Sequence, residues 1–326
     1  MSRRTLLSGA GLAALGLAGC SSATTGPVAG MPAGPRVFTA DADANSVSVV
    51  DLASGKTVAH LQTEPKPHHL TVSPDGTNLW VTSYGGSKVE IFSASTGAKL
   101  GGVDVGAFSD DLNFSPSGDR LYVSLGTVNA LAVIDPKSRK LLAHIPVGAL
   151  PHGVRVSPDG QQVYVTSTRD NTVDVVDVQQ QKVVKRIPTG PNPYEVVFTA
   201  DGRFAFTTNY LGTSVDKIDT TSQSVVGVVP VASLPAMETL SPDGKLLYVA
   251  CMNPGMVSVV DVATLRELRR IPAGPSAHGV IVTPDGSRLY VTDQGGATIT
   301  VVNPTDSRTV GRIAIGASPN GIAYAG

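Results

Sequence analysis

Histidine, carboxylate and tyrosine side chains recur at two adjacent positions of this chain, at intervals of 42 residues. The first position holds, in order, His68, Asp110, His152, Tyr194, Ala236, His278 and Asn320. The second holds His69, Asp111, Gly153, Glu195, Met237, Gly279 and Gly321. Imidazoles and carboxylates that converge on one place can bind a metal ion or an anionic ligand. The polar members of both positions are therefore candidate ligand-binding residues.

Charged residues also interrupt positions that are uncharged in the other repeats. Glu238 and Lys217 each replace an aliphatic residue, and a lone buried charge is costly or shifts its pKa toward the neutral form. We expect Glu238 either to pair with Lys217 or to act as a functional acid. The alternative is a register slip at Pro235 that exposes Glu238. Arg155 is a third departure, and it could meet an anionic ligand.

One repeat is rich in sulfur, since it contains Met237, Cys251, Met252 and Met256. Thioether and thiolate groups suit Cu(I), so copper is a candidate cofactor beside a divalent metal. The alternative is ordinary loop packing around a half-buried cysteine.

Several functional classes lack their signatures here. The chain has no G-x-S-x-G elbow, no H-E-x-x-H, no P-loop and no C-x-x-C. The formal net charge is -1 and no run of Lys or Arg occurs, so we expect no nucleic-acid partner.

The elements that position these residues follow from a repeated turn. Each unit reads strand A, a Ser-Pro-Asp-Gly-type turn, strand B, a polar loop, strand C, a second turn and strand D. Proline presets φ in the first turn and glycine supplies a positive φ. The turn begins at Ser73, Ser115, Ser157, Thr199, Ser241 and Thr283. A period this regular predicts an all-β repeat fold.

The two ends of the chain complete the repeat. Residues 36–39 match strand B, so the first unit lacks a strand A, and residues 319–324 form a strand A with nothing after it. The sequence therefore predicts one domain over residues 36–326. It is a seven-bladed β-propeller of four-stranded antiparallel blades, closed by pairing the C-terminal strand with the N-terminal blade.

Strand B carries a recognisable motif. Tyr164-Val165-Thr166-Ser167 and Phe206-Thr207-Thr208-Asn209 resemble the repeat of the YVTN-type β-propeller family, and so do the equivalent segments of the other blades. The resemblance implies a seven-bladed propeller. It leaves activity open, because related propellers act as lactonases, as electron-transfer or cofactor-binding domains, and as binding scaffolds.

Such propellers place the D–A and B–C loops on one face, the top, around the mouth of a central channel. Strand A is innermost, so the candidate residues are expected at this mouth. His68, His69, Asp110 and Asp111 lie on adjacent blades and form the predicted metal set. His68, His152 and His278 are expected to be too far apart to share one ion unless loops fold inward. The alternative is that a Pro-His-Gly consensus caps the D–A turn.

The N-terminus has the features of an export signal. Arg3-Arg4 precedes an apolar run, and Leu17-Ala18-Gly19-Cys20 resembles the lipobox of bacterial lipoproteins. The sequence predicts a twin-arginine-type signal over residues 1–20, lipidation of Cys20 and a flexible tether over residues 21–35. With Cys20 lipidated, Cys251 has no disulfide partner.

These observations favour an exported, lipid-anchored monomer that binds a small molecule, a metal ion or a protein at the top face. One alternative is a lactonase-like hydrolase or metal-dependent lyase that uses the His, Asp and Glu positions. Another is a cofactor- or copper-handling accessory to a redox enzyme. The sequence alone does not establish an enzyme.

Overall fold

Short β-strands joined by tight turns make up the whole of the described chain. The structure is a computed structural model that describes residues 24–326. These residues form seven antiparallel sheets of four strands each. The predicted seven-bladed propeller is confirmed.

The strands have similar lengths, and most contain five to eight residues. In chain order they are β1 (Arg36–Asp41), β2 (Ser46–Asp51), β3 (Lys56–Gln62), β4 (Pro67–Val72), β5 (Asn78–Ser83), β6 (Lys88–Ser93), β7 (Lys99–Asp104), β8 (Leu112–Phe114), β9 (Leu121–Leu125), β10 (Ala130–Asp135), β11 (Lys140–Pro146), β12 (Pro151–Val156), β13 (Gln162–Ser167), β14 (Thr172–Asp177), β15 (Lys182–Pro188), β16 (Pro193–Phe198), β17 (Phe204–Asn209), β18 (Ser214–Asp219), β19 (Ser224–Pro230), β20 (Ser233–Leu240), β21 (Leu246–Asn253), β22 (Met256–Asp261), β23 (Arg266–Pro272), β24 (Ala277–Val282), β25 (Leu289–Asp293), β26 (Thr298–Asn303), β27 (Arg308–Ala314) and β28 (Pro319–Ala325).

The first and last strands close the ring. Strand β28 pairs with β1, so the sheet of blade one runs β28-β1-β2-β3. Blades two to seven take the remaining strands in sequence order, four to a blade. Closure leaves no blade without its inner strand, which removes the exposed sheet edges of an open array.

Side chains and one glycine build the turn between strands A and B. In blade four the Ser157 hydroxyl donates to Asp159 Oδ1 at 2.6 Å, and the Gln161 amide donates to the same oxygen at 3.0 Å. Gly160 adopts a φ of 72°. The turn is therefore structural, as its recurrence predicts.

Strand A carries a β-bulge at the two candidate positions. In blade four Pro151 pairs with Ser167 and Val154 pairs with Val165, so His152 and Gly153 together lie opposite Thr166. Because of the bulge, both consecutive residues lie at the channel instead of alternating between two faces.

The threonine of the strand-B motif fixes this bulge. The Gly153 amide donates to Thr166 Oγ1 at 2.7 Å, and Thr166 Oγ1 donates to the carbonyl oxygen of Tyr194 in the next blade at 2.9 Å. In blade two, the His69 amide likewise donates to Thr82 Oγ1, and Thr82 Oγ1 donates to the carbonyl oxygen of Asp110 in blade three. The motif threonine therefore links neighbouring blades.

The hydrophobic core lies between the blades. One such cluster joins blades three and four through Tyr122, Leu131, Val133, Val154, Val163 and Val165. Strand residues alternate between two interblade faces, so each blade contributes to two such clusters.

Residues 24–35 lie at the outer rim, against blades one and two. The Val28 amide donates to the Thr96 carbonyl oxygen at 2.8 Å, and Val28 and Met31 pack on the cluster around Phe38. This part of the predicted tether thus has a defined position. The predicted signal and Cys20 lie outside the described residues. Within residues 24–326, no helix has the length and apolarity to cross a membrane.

Candidate functional site

Aromatic and imidazole rings fill the upper half of the channel. The rings of His68 and His152 lie 5.2 Å apart, and those of His69 and His152 lie 5.7 Å apart. Tyr194 extends the cluster, since its hydroxyl lies 3.3 Å from His278 Nε2. Inward-pointing side chains bring these rings together across the channel, yet among the described residues His68, His152 and His278 do not form a group with the spacing of metal ligands.

A buried hydrogen bond orients His69. Its Nδ1 lies 2.7 Å from Asp111 Oδ1, and its Nε2 lies 3.6 Å from Glu195 Oε1. His69, Asp111 and Glu195 each place one donor atom within 4.8 Å of the others, a spacing that a cation could bridge. The carboxylate–histidine pair is the arrangement that commonly orients a metal-binding imidazole.

The predicted metal set separates into two parts. His68 Nδ1 lies 3.2 Å from the backbone carbonyl oxygen of Asp110, and Asp110 Oδ2 accepts a hydrogen bond from the Gly126 amide at 2.9 Å. His68 stacks on His69, with ring centres 4.8 Å apart, but neither His68 nor Asp110 joins His69 and Asp111 in a group with the spacing of metal ligands among the described residues. The third member of the group with His69 and Asp111 is Glu195, which lies in blade five, two blades after that of Asp111.

Glu195 and Glu238 are buried acids without hydrogen-bond partners among the described residues. Burial, together with the charge of Asp111, raises the pKa of Glu195 to about 8. Burial and the neighbouring Glu195 raise the pKa of Glu238 well above its usual range. By contrast, burial would raise the pKa of Asp111, but the interactions with His69 and Arg155 and the hydrogen bond from the Val154 amide together hold it below its usual value.

The predicted pairing of Glu238 with Lys217 is wrong. Lys217 Nζ lies 3.9 Å from the centre of the Phe204 ring and donates to the Val262 carbonyl oxygen at 3.3 Å. The register slip is wrong as well, because Glu238 pairs with Val249 and is only 7% exposed. Strand A directs Glu238 toward the channel, whereas strand C holds Lys217 further out in its blade.

Burial favours the neutral form of three channel histidines. It lowers the pKa of His278 to about 3, and it lowers the pKa values of His68 and His152. His152 Nδ1 lies 3.1 Å from the Tyr194 carbonyl oxygen, which can only accept a hydrogen bond. Nδ1 therefore carries the proton, and the lone pair is on Nε2, which has no partner among the described residues.

A cavity of about 280 Å³ opens at the top face above this cluster. Its lining residues come from blades two to five and are Tyr84, Phe108, Asp110, Gly126, Thr127, Leu150, His152, Thr168, Asn192, Tyr194 and Tyr210. The rings of His152, Tyr194 and Tyr210 form a stack, with centres 3.7 Å and 4.8 Å apart. Phe108 and Leu150 are 47% and 41% exposed, so the rim is apolar as well.

Four residues of the cavity wall were not among those predicted from the sequence, namely Tyr84, Phe108, Leu150 and Tyr210. A signal was present, because Tyr84 and Tyr210 occupy one position of the repeat, where the other blades carry mostly small or polar residues. Phe108 and Leu150 share another position, directly before strand A. Comparing these loop positions between the repeats would have found the cavity wall.

The predicted soft-metal set is dispersed. Cys251 packs between blades five and six, whereas Met237 packs between blades six and seven. Burial raises the pKa of the Cys251 thiol to about 11, which disfavours the thiolate that binds metal. Met252 accepts a hydrogen bond from Tyr210 at 3.3 Å. Met237 therefore lies in a different interblade cluster from Cys251, whereas Met256 pairs with Cys251 across strands β21 and β22.

The remaining candidates lie at the edge of the cluster. Asn320 accepts a hydrogen bond from Gln294 through Oδ1 and lies on blade one. Arg155 is directed to the lower half of the channel, where its Nε donates to the Val196 carbonyl oxygen at 3.0 Å.

A family match covers part of this region. Residues 147–240 match the family described as cytochrome D1 heme domain, which is less than a third of the chain. The matched segment contributes six of the residues that line the cavity, among them His152, Tyr194 and Tyr210. No curated protein matches the chain.

Solved structures share the fold. Hydrazine synthase of Kuenenia stuttgartiensis has 24% identity and a TM-score of 0.72, with 79% of this chain and 89% of that chain covered. The periplasmic gluconolactonase of Pseudomonas aeruginosa has 20% identity and a TM-score of 0.75, covering 90% and 99%. A dihydro-heme d1 dehydrogenase in complex with DHE has 16% identity and a TM-score of 0.69, covering 93% and 79%. At these identities the likeness shows the propeller fold alone.

Proposed function

We propose that this propeller binds a small, uncharged, ring-bearing molecule in the cavity at its top face. The observation that carries the proposal is the stack of His152, Tyr194 and Tyr210 in the cavity wall. A planar or cyclic ligand can extend such a stack, because aromatic faces attract ring systems in offset or edge-on geometry.

Charge and size narrow the ligand class. Among residues 24–326, no Lys or Arg lines the cavity, and burial raises the pKa of Asp110, the one carboxyl group in its wall. A neutral ligand therefore fits better than an anion. The volume of about 280 Å³ lies near the lower limit for ligand pockets, which favours one or two rings over an enclosed macrocycle.

Calorimetric titration with neutral ring compounds tests the proposal. The panel contains glucono-1,5-lactone, a nucleoside and a simple phenol. Tyr210→Ala should weaken binding about tenfold by removing one face of the wall. Leu268→Ala, which removes an exposed apolar side chain from outer strand β23, should leave binding unchanged. Equal affinity of both variants for every compound that binds would overturn the proposal.

A second candidate function is hydrolysis of a cyclic ester, with the imidazole of His152 in the cavity wall as the base. Its Nε2 has no hydrogen-bond partner among the described residues but is buried, so a side chain of the wall must move before a water molecule reaches the Nε2 lone pair. That lone pair could take a proton from water while the water oxygen attacks the ester carbonyl carbon. The ring carbon–oxygen bond then breaks, and the alkoxide recovers the proton from Nε2. General base catalysis of this kind needs a neutral imidazole near its acceptor proton.

A lactone screen separates this candidate from plain binding. His152→Gln should lower turnover by about 10²- to 10⁴-fold while largely preserving the shape of the cavity. His144→Gln, at an exposed position of strand β11, is the matched control. Hydrolysis that survives in His152→Gln would reject His152 as the base, and absence of hydrolysis in the wild-type protein would leave binding as the function.

We also propose that the chain is exported and held at the membrane through a lipid on Cys20. The lipobox-like segment that ends at Cys20 supports this. Labelling cells with a fatty-acid analogue, followed by membrane fractionation, tests it. Cys20→Ala should lose the label and leave the membrane fraction, whereas Cys251→Ala should keep both. A label that persists in Cys20→Ala would contradict the anchor.

A further inference from the structure

The lower half of the channel contains a second cavity. It measures about 360 Å³, and its wall includes His69 and Asp111, whereas His152 and Asp110 line the cavity above. The layer formed by His69, Glu195 and His152 therefore separates the two cavities. The function proposed above uses only the upper one.

Two departures from the repeat meet in this lower cavity. Arg155 occupies a position where the other blades carry uncharged residues such as Thr71, Val197 and Ile281, and Glu238 replaces an aliphatic residue. The other blades fold without charges at these positions, so the scaffold requires neither residue. Their shared location indicates a role that belongs to the cavity.

Arg155 uses only part of its guanidinium for hydrogen bonds with the described residues. Its Nε donates to the Val196 carbonyl oxygen, and its Nη2 lies 3.9 Å from Glu195 Oε2, beyond hydrogen-bond distance. Asp111, in the same wall, also interacts with its charge. The side chain of Arg155 is 32% exposed, so its remaining donors are accessible to an anion in the cavity.

Glu238 supplies a second polar group to the same wall. It is 7% exposed, and neither of its oxygens has a hydrogen-bond partner among the described residues. Burial raises its pKa well above the usual range, which favours the protonated form that can donate an O–H. A guanidinium and a protonated carboxyl group together offer donors to a carboxylate.

Apolar side chains make up about half of the lining surface and include Val197, Val280, Ile281 and Ile322. We propose that the lower channel binds a free aliphatic monocarboxylate, with its carboxylate at Arg155 and Glu238 and its hydrocarbon chain against this apolar wall. One negative charge on the ligand matches the one arginine, and the chain removes apolar surface from water.

Titration calorimetry at pH 7 with acetate, butyrate, hexanoate and octanoate tests the proposal. Affinity should rise by about fourfold for each added methylene until the cavity is filled. Hexanamide, which lacks the charge, should bind at least tenfold more weakly than hexanoate. Tyr210→Ala, which alters only the upper cavity, should not change hexanoate binding.

Variants locate the site. Arg155→Gln should weaken hexanoate binding at least tenfold, and Arg186→Gln, at an exposed arginine of strand β15, should not. Glu238→Leu restores the aliphatic residue of the other blades and should fold, yet it should also weaken hexanoate binding. Equal binding of hexanoate and hexanamide, or unchanged binding in Glu238→Leu, would overturn the proposal even if Arg155→Gln failed to fold.

Discussion

Individual titratable residues in the channel have pKa values displaced in opposite directions. Burial raises the pKa of Glu195 to about 8 and lowers that of His278 to about 3. Both shifts favour the neutral form, as expected for groups removed from water. The channel is therefore less charged at neutral pH than its list of residues suggests.

These shifts predict a maximum of stability near pH 6. A carboxyl group with a raised pKa destabilises the fold as pH rises from about 4.5 to about 8, because the unfolded chain ionises first. A histidine with a lowered pKa destabilises the fold as pH falls below about 6.5, because the unfolded chain is protonated first. The melting temperature, measured from pH 4 to pH 9, should therefore fall both below and above about pH 6.

Glu195→Gln checks the alkaline side of that profile. Because glutamine resembles the protonated acid, the variant should melt higher than the wild type at pH 9 and about equally at pH 5. Parallel profiles for the two proteins would show that Glu195 has an ordinary pKa.

At the scale of the element, the bulge of strand A depends on the motif hydroxyl. Thr166 Oγ1 accepts from Gly153 and donates to Tyr194, and both partners are backbone groups. Thr166→Val keeps the shape but leaves these groups unpaired, so the free energy of unfolding should fall by about 1–3 kcal/mol. Thr166→Ser keeps the hydroxyl and should lose clearly less in urea denaturation. Similar losses in both variants would assign the effect to packing.

The turn between strands A and B depends on the conformation of its glycine. Gly244 has a φ of 70° and a Cβ added there would contact nothing within 4 Å. Gly244→Ala should therefore cost about 1–2 kcal/mol of unfolding free energy from backbone strain alone. Gly311→Ala, equally open but without a positive φ, should cost nothing. Equal effects in thermal denaturation would contradict this reading.

At the scale of the whole molecule, the closure between β28 and β1 should be essential. Deleting residues 319–326 exposes the edge of β1 and opens the inner wall, so the truncated chain should aggregate or lose cooperative melting. A peptide of residues 318–326 should restore a cooperative transition by adding the missing strand. A scrambled peptide is the control, and a truncated chain that melts like the full one would refute the requirement.

The sequence predicted the blades because their signals are local. A Pro-Asp-Gly turn and alternating Val residues act within a few positions, and 42-residue spacing only repeats them. The site depends instead on how far side chains from separate blades reach across the channel. Glu195 joined His69 and Asp111 only because the bulge directs both positions of strand A inward. That distance is set in three dimensions and is not encoded in any one repeat, whereas the cavity residues Tyr84 and Phe108 do stand out in the sequence as departures from their repeat positions.

The position of residues 24–35 has a consequence for how the molecule stands on a membrane. Only three residues separate Cys20 from Thr24, and four backbone steps reach at most roughly 14 Å. Thr96, which contacts this segment, lies in a turn on the bottom face. A lipid on Cys20 would therefore hold this part of the outer rim within about 14 Å of the bilayer surface. The lower cavity would then open toward the lipid headgroups and the upper one toward the surrounding water. Ligands of the lower cavity would then come from the membrane surface, and ligands of the upper cavity from bulk water.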